Sequence, residues 1–337
     1  MRVLADGDGS GLAESFEALT GELGDVVRGF RDHPGLLGKA RIAMVTDVLG
    51  ATDWDRGPGD DAAVLPRDGG HALLAGEAIW PPYVERDPFG AGIAAVLANV
   101  NDVAAMGGRP EALVDTIVAD EPLARSVLEG LRFAAGLYRV PVVGGHLTVR
   151  PGPPAVSAFI LGTARRPLRA LEAAPGQALL FCACLEGRLR EDFPFFSSIR
   201  ERGAALGDDV RLLASLAEAG HCKAAKDVSM AGILGSLAML LEPTRCGVVV
   251  DLERLPRPPG VSLTAWTGAF PSFGFLLCTP PPAVPACRDA FAARGLACEQ
   301  VGELDASGAV RARLEDREGL LIDLCRRPVT GLRRQAP

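Results

Sequence analysis

A mixed α+β protein in two comparable halves is the architecture this sequence predicts. Two observations carry it. Strand-like and helix-like segments alternate from about residue 40 onward, and a break at Arg165-Arg166-Pro167 divides that alternation. A chain of 337 residues is long for one core and comfortable for two domains. The expected division is an N-terminal arm over 1–40, a first domain over 41–165 and a second over 166–330.

The arm begins rich in Gly and Asp and turns weakly helical around Leu12 to Phe30. Ala62 to Leu65 reads as a short strand, and His71 to Ile79 as a longer one stopped by Pro81-Pro82. Pro88 to Met106 reads as a helix, because Ile93, Val96, Leu97, Val100 and Ala104 form one stripe, and Gly107-Gly108 ends it. Glu111–Ala119, Val140–Val143 and Val156–Thr163 read as strands, with an amphipathic helix over Leu123–Tyr138. In the second half, Pro175-Gly176 is a turn and Ala178–Cys184, Cys246–Asp251 and Phe273–Cys278 are strands. Helices are expected over Asp208–Ala219, Ala224–Leu241 and Ala283–Arg294, then short strands near Cys298, Val310 and Leu320.

Composition is that of a globular protein, 48% apolar and 23% charged. A net charge of −7 argues against nucleic acid or an anionic membrane as partner. Of 35 basic residues only Lys39, Lys223 and Lys226 are lysine, a skew that reads as genomic bias. The eight cysteines form no C-x-x-C pair, and several sit in apolar runs, so buried free thiols in a reducing compartment are expected. Met1 to Asp6 has no apolar leader and the apolar run Ala231–Leu241 is too short to span a bilayer, which points to a cytoplasmic protein.

Four segments carry chemistry. Gly59-Asp60-Asp61-Ala62-Ala63 puts carboxylates beside small residues, which suits a turn and equally a hard cation. Asn99 and Asp102 lie three apart near a helix C-terminus, where a negative charge is unfavourable unless a cation compensates. Val142-Val143-Gly144-Gly145-His146 follows a strand with two glycines, where backbone N–H groups can close on phosphate or simply turn the chain. Lys226-Asp227-Val228-Ser229 is expected to open a helix, with Asp227 or Ser229 as N-cap or as a phosphate contact.

In this order and spacing the four segments resemble the superfamily of aminoimidazole ribonucleotide (AIR) synthase, which includes thiamine-monophosphate kinase and selenophosphate synthetase. Its Gly-Asp-Asp-Ala-Ala turn is similar to residues 59–63, and its Asn-x-Ser-Asp-x-Ala-Ala-Met-Gly helix end to 99–107, with Asn101 in the Ser place. Its Val-x-Gly-Gly-Asp and Asp-x-Ser-Asp-Gly segments correspond to 142–146 and 227–231. The resemblance covers roughly residues 40–325 and is nearest to an AIR-synthase-related subgroup without an assigned activity. It implies an N-terminal α/β domain whose sheet closes a β-barrel with that of a second subunit, a C-terminal α+β domain, and ATP and Mg²⁺ near the dimer interface. His146 and Met230 depart from it where carboxylates are expected, and Gly76-Glu77 stands where the kinases carry Thr-Asp. No Cys precedes Cys182 and the sequence ends Gln335-Ala336-Pro337, so selenophosphate synthesis and hydrogenase maturation are not expected.

The resulting expectation is ATP- and Mg²⁺-dependent phosphoryl transfer to, or activation of, a small metabolite in a homodimer, with Mn²⁺ as an alternative metal. Asp60, Asp61, Glu77, Asp102 and Asp227 would hold metal. Asn99, Gly107, Gly108, Gly144, Gly145 and His146 would contact the nucleotide, and Lys39 would bring a cation over the phosphates. The alternative is a nucleotide-binding homologue without turnover, acting as a subunit or regulator.

Overall fold

In the computed structural model, residues 19–51, 53–54 and 59–334 are described; the helix expected from Leu12 lies partly outside them. After helices α1 (Gly21–Arg31), α2 (Pro34–Lys39) and α3 (Ala43–Leu49), the first half builds a sheet from β1 (Ala63–Arg67), β2 (Gly70–Ile79), β3 (Arg109–Ala119), β4 (Val142–Val149) and β5 (Ala155–Ala164). Its order is β1-β2-β5-β3-β4, antiparallel except for the β3–β4 pair. Period-two alternation sets its faces: Val156, Ala158 and Ile160 of β5 point inward, while Phe159 and Leu161 point outward. Among the described residues β1 and β4 are open edges and no closed barrel is found, so the barrel implied by the resemblance is not a property of one chain.

Pro81-Pro82 ends β2 as expected, but it also starts a short helix, α4 (Pro81–Arg86), because Pro suits the first helical turn. Next come α5 (Pro88–Ala105) and α6 (Glu121–Tyr138), capped by Asp87 accepting from the Gly90 amide and Asp120 from the Leu123 amide. Both helices cover the inner face of the sheet. Helix α5 is long and apolar enough to cross a membrane, but about two thirds of it is buried in the core.

The second half is organised around β6 (Ala178–Ala183), whose six residues are all buried. A small sheet pairs β7 (Arg188–Leu189), β8 (Phe195–Ser197) and, later, β11 (Phe270–Pro271). The helix expected over Asp208–Ala219 is broken: after α7 (Ile199–Arg202) come α8 (Leu206–Asp209) and α9 (Leu212–Glu218). The helix expected from Ala224 is corrected further. Residues Ala224–Asp227 form strand β9, antiparallel to β12 (Gly274–Thr279), and the helix, α10, spans only Gly232–Leu241. Ladder pairing with a fully buried strand overrides the helical preference of Ala224-Ala225. Ala231, not Asp227 or Ser229, is the N-cap position, and no side chain caps it.

The remaining elements are β10 (Gly247–Asp251), α11 (Leu263–Gly268), α12 (Val284–Ala292), β13 (Ala297–Asp305), β14 (Ala309–Leu314) and β15 (Arg317–Asp323). They complete a seven-stranded sheet of order β15-β14-β10-β13-β6-β12-β9. One face packs on α9, α12 and the first half in a continuous core. The other face packs on α10, α11 and α1, so residues read as an arm supply Leu23, Val26, Val27 and Phe30 to the second core. All eight cysteines are free thiols; seven are buried and Cys325 is exposed.

Candidate metal and nucleotide site

Where the two halves meet, a cavity of about 960 Å³ opens. The first half contributes Asp60 and Asp61 from the turn before β1, Glu77 from β2, and Asn101 and Asp102 from the last turns of α5. Lys226 and Asp227 come from the end of β9, and Lys39 from the end of α2. Asp61, Asp102 and Asp227 each offer a carboxylate oxygen, all within 4.8 Å of one another. These residues are distant in sequence and are joined only because β9 adds to the far edge of the second sheet beside α5.

The Lys226 ammonium sits among them. It donates to Asp61 Oδ1 and, at 3.2 Å, to Asp227 Oδ1, with its side chain only 8% exposed. The Asp227 amide also donates to Asp61 Oδ2 at 3.4 Å. Burial dominates the electrostatics. It pushes the Asp61 carboxyl up to about 7, a rise that Asp227 and Asp60 reinforce and Lys226 opposes. Asp102 is raised well above its ordinary value, again by burial first and then by Asp227, Glu77 and Asp61. Glu77 is raised by burial, with Lys39 pulling it back. Burial alone lowers the Lys226 pKa, but Asp61 and Asp227 more than offset this and hold it above the ordinary value. The cluster is therefore short of positive charge.

Those donors fit a hard divalent cation, which takes carboxylate oxygens and leaves positions for phosphate and water. Two orphaned atoms support the fit. Asn101 Nδ2 donates to Ser272 O at 3.2 Å, yet its Oδ1 is buried without a partner; Ser229 Oγ is likewise unpartnered, and both residues line the cavity.

Other expected contacts sit elsewhere. Asp60 lines the cavity, but its two oxygens accept from the amides of Asp61 (3.1 Å) and Ala170 (2.7 Å), which anchors the turn. Asn99 is fully buried and donates to Ala95 O and Ala158 O, tying α5 to β5 outside the cavity lining. Gly107 and Gly108 are buried away from the lining. Gly107, at φ +66°, caps α5, and a Cβ there would stand 2.8 Å from that of Ala217. Gly144, Gly145 and His146 form no turn: they lie inside β4, opposite Val114, Asp115 and Thr116, on the free edge of the first sheet. His146 is exposed and contacts Thr148 Oγ1 at 3.2 Å. Lys226, Asn101 and the aromatic wall of Trp80, Tyr83, Phe193 and Phe270 were not singled out from sequence as site residues. The rarity of lysine was the available signal for Lys226.

A two-domain α+β chain with a buried carboxylate triad facing a cleft between its halves is the class that fold and site define. Family matching agrees. Residues 59–164 match the N-terminal domain of AIR synthase related protein and residues 194–315 its C-terminal domain. The chain belongs to the AIR synthase related family. It is 36% identical to the uncharacterized protein sll0787 of Synechocystis sp. over 81% of this chain and 86% of that one. Among solved structures, T. maritima PurL complexed with ATP aligns with a TM-score of 0.67 at 20% identity, covering 81% of this chain and 46% of PurL. The chain thus spans about half the length of that PurL. AaThiL complexed with AMPPCP and TMP aligns with a TM-score of 0.64 at 16% identity, over 83% of this chain and 95% of that one. The likeness to both structures is one of fold.

Proposed function

We propose that this protein binds ATP with Mg²⁺ or Mn²⁺ in the cleft and transfers the γ-phosphoryl group to a small metabolite, or uses it to activate one. The observation that carries the reading is the triad Asp61, Asp102 and Asp227, clustered within 4.8 Å on the wall of a cavity roomy enough for a nucleotide and an acceptor. The ATP and AMPPCP named for PurL and AaThiL support it. In this reading the triad holds the metal, Glu77 adds charge at the rim, and Lys39 reaches the phosphates from α2. When bound, the metal neutralises phosphate charge, and positioning supplies most of the remaining rate. Asn99, Gly107 and Gly108 serve by fixing α5, and so Asp102, rather than by touching nucleotide.

The working unit in this reading is a cytoplasmic homodimer. The outward face of the first sheet, with Leu74, Val114, Phe159 and Leu161, is apolar and suited to a second copy, while Gly144, Gly145 and His146 on the adjoining edge lie where that copy could reach. A binding homologue without turnover is the second reading, favoured by Met230 on the cavity wall where the resemblance expects a carboxylate. Thermal unfolding with ATP and Mg²⁺ or Mn²⁺ tests both. Stabilisation dependent on both components is expected, and its absence rejects both readings. Stabilisation without ADP release across candidate metabolites selects the second.

A further inference from the structure

We infer that Lys226 is a built-in cation that guards the carboxylate triad, so that a divalent metal enters productively only together with nucleotide phosphate. The inference rests on the proposed metal–nucleotide site and assigns that site an order of loading.

The argument starts from occupancy. The Lys226 ammonium donates to Asp61 and, at 3.2 Å, to Asp227, two of the three carboxylates that could ligate a metal. With 8% of its side chain exposed, Lys226 has little water to retreat into. A metal ligated by Asp61 and Asp227 would face an ammonium at contact distance, and like charges in a desolvated setting repel strongly. Lys226 must therefore give up at least one carboxylate and find another anion. Among the described residues lining the cavity, Asp102, Glu77 and Asp60 are the other carboxylates near Asp61 and Asp227; Asp102 is itself a triad member, and both Asp60 oxygens already accept from the amides of Asp61 and Ala170. A nucleotide phosphate in the cleft supplies the missing acceptors. A flexible stem with a single compact ammonium suits such a move from carboxylate to phosphate, whereas a planar guanidinium favours a fixed fork. In a chain with three lysines among 35 basic residues, one occupies this position.

Binding reciprocity makes this measurable: if phosphate improves metal affinity, metal improves nucleotide affinity by the same factor. The probe is Mn²⁺ titrated into chelator-stripped protein, with free Mn²⁺ read by electron paramagnetic resonance, alone and with saturating ADP against a protein-free control. For the wild type, Mn²⁺ should bind about tenfold or more tightly with ADP than without. Lys226→Met should bind Mn²⁺ alone about tenfold more tightly than the wild type and lose most of the ADP enhancement. Lys226→Arg keeps the charge and should bind Mn²⁺ alone as weakly as the wild type. Unchanged or weaker Mn²⁺ binding by folded Lys226→Met overturns the inference, as does Lys226→Arg behaving like Lys226→Met. Should Lys226→Met not fold, equal wild-type Mn²⁺ affinity with and without ADP, under conditions where calorimetry shows ADP bound, overturns it. If no variant or wild type binds ADP, the nucleotide reading fails instead, and the Mn²⁺-only comparison still decides whether Lys226 guards the triad.

Discussion

Asp102 is nine-tenths buried, and its raised pKa shows that its charge is unwelcome without a compensating cation. Asp102→Asn should therefore remove the stabilisation by ATP with metal while leaving the chelated protein as stable as the wild type or more so. Thermal unfolding under both conditions checks this; retained metal-dependent stabilisation would take Asp102 out of the site. Asp61 gives a pH dependence. Its carboxyl is pushed from 3.8 up to about 7, so between those values the folded protein binds more protons than the unfolded chain. That contribution is full below about pH 4 and is lost as pH rises through about 7, where metal should take over the role of the proton. Urea unfolding of chelated protein should show stability falling across this window by roughly 2–4 kcal/mol, and Asp61→Asn should flatten the slope. Equal slopes for the two proteins would show that Asp61 titrates normally.

Helix α5 joins the two halves, and its C-terminus aims Asn101 and Asp102 into the cleft. The apolar stripe and the Gly-Gly stop were legible in sequence because both follow from local spacing and backbone freedom. The reason for Gly107 was not. It depends on a close approach to Ala217, a residue more than a hundred positions away. Strand β9 escaped for a similar reason, since only its pairing with β12 distinguishes Ala224–Asp227 from a helix start. The carboxylates were readable as a set only through the order and spacing of the segments that resemble the AIR synthase superfamily, since Gly59-Asp60-Asp61 alone suits a turn equally well. Gly144, Gly145 and His146 were expected to close on phosphate or turn the chain because Gly-Gly frees the backbone locally, whereas the parallel partner β3 draws them into a strand. Gly107→Ala tests the helix end: positive φ and the Ala217 contact should cost about 1–3 kcal/mol in urea unfolding. It should also weaken ATP stabilisation by displacing Asp102; an intact nucleotide response would separate the cap from the site.

On the scale of the whole molecule, the first sheet is asymmetric. Its inner face packs on α5 and α6, while Leu74, 49% exposed, and Phe159, 42% exposed, stand on an outer face that nothing in the chain covers among the described residues. Leu74 pairs with Leu161 and Val114 with Phe159 across the strands, so these side chains form one continuous patch. Gly76, opposite Phe159, leaves room for the ring to lie across the strand, since a Cβ there would stand 2.4 Å from Phe159 Cδ1. The same Gly76 lines the cleft. Contiguous apolar surface of this kind marks an interaction face, and the stretch of β2 from Leu74 to Glu77 thus connects the face to the site. Phe159→Glu should leave the fold intact, because the side chain points outward, and should convert a dimer into a monomer in light scattering with size exclusion. Because the face borders the cleft through Gly76 and Glu77, ATP stabilisation should weaken in the same variant. A wild type that is monomeric at micromolar concentration, or a Phe159→Glu variant that stays dimeric, would reject this face as the subunit contact. A monomeric variant with undiminished ATP response would show instead that each chain holds a complete site.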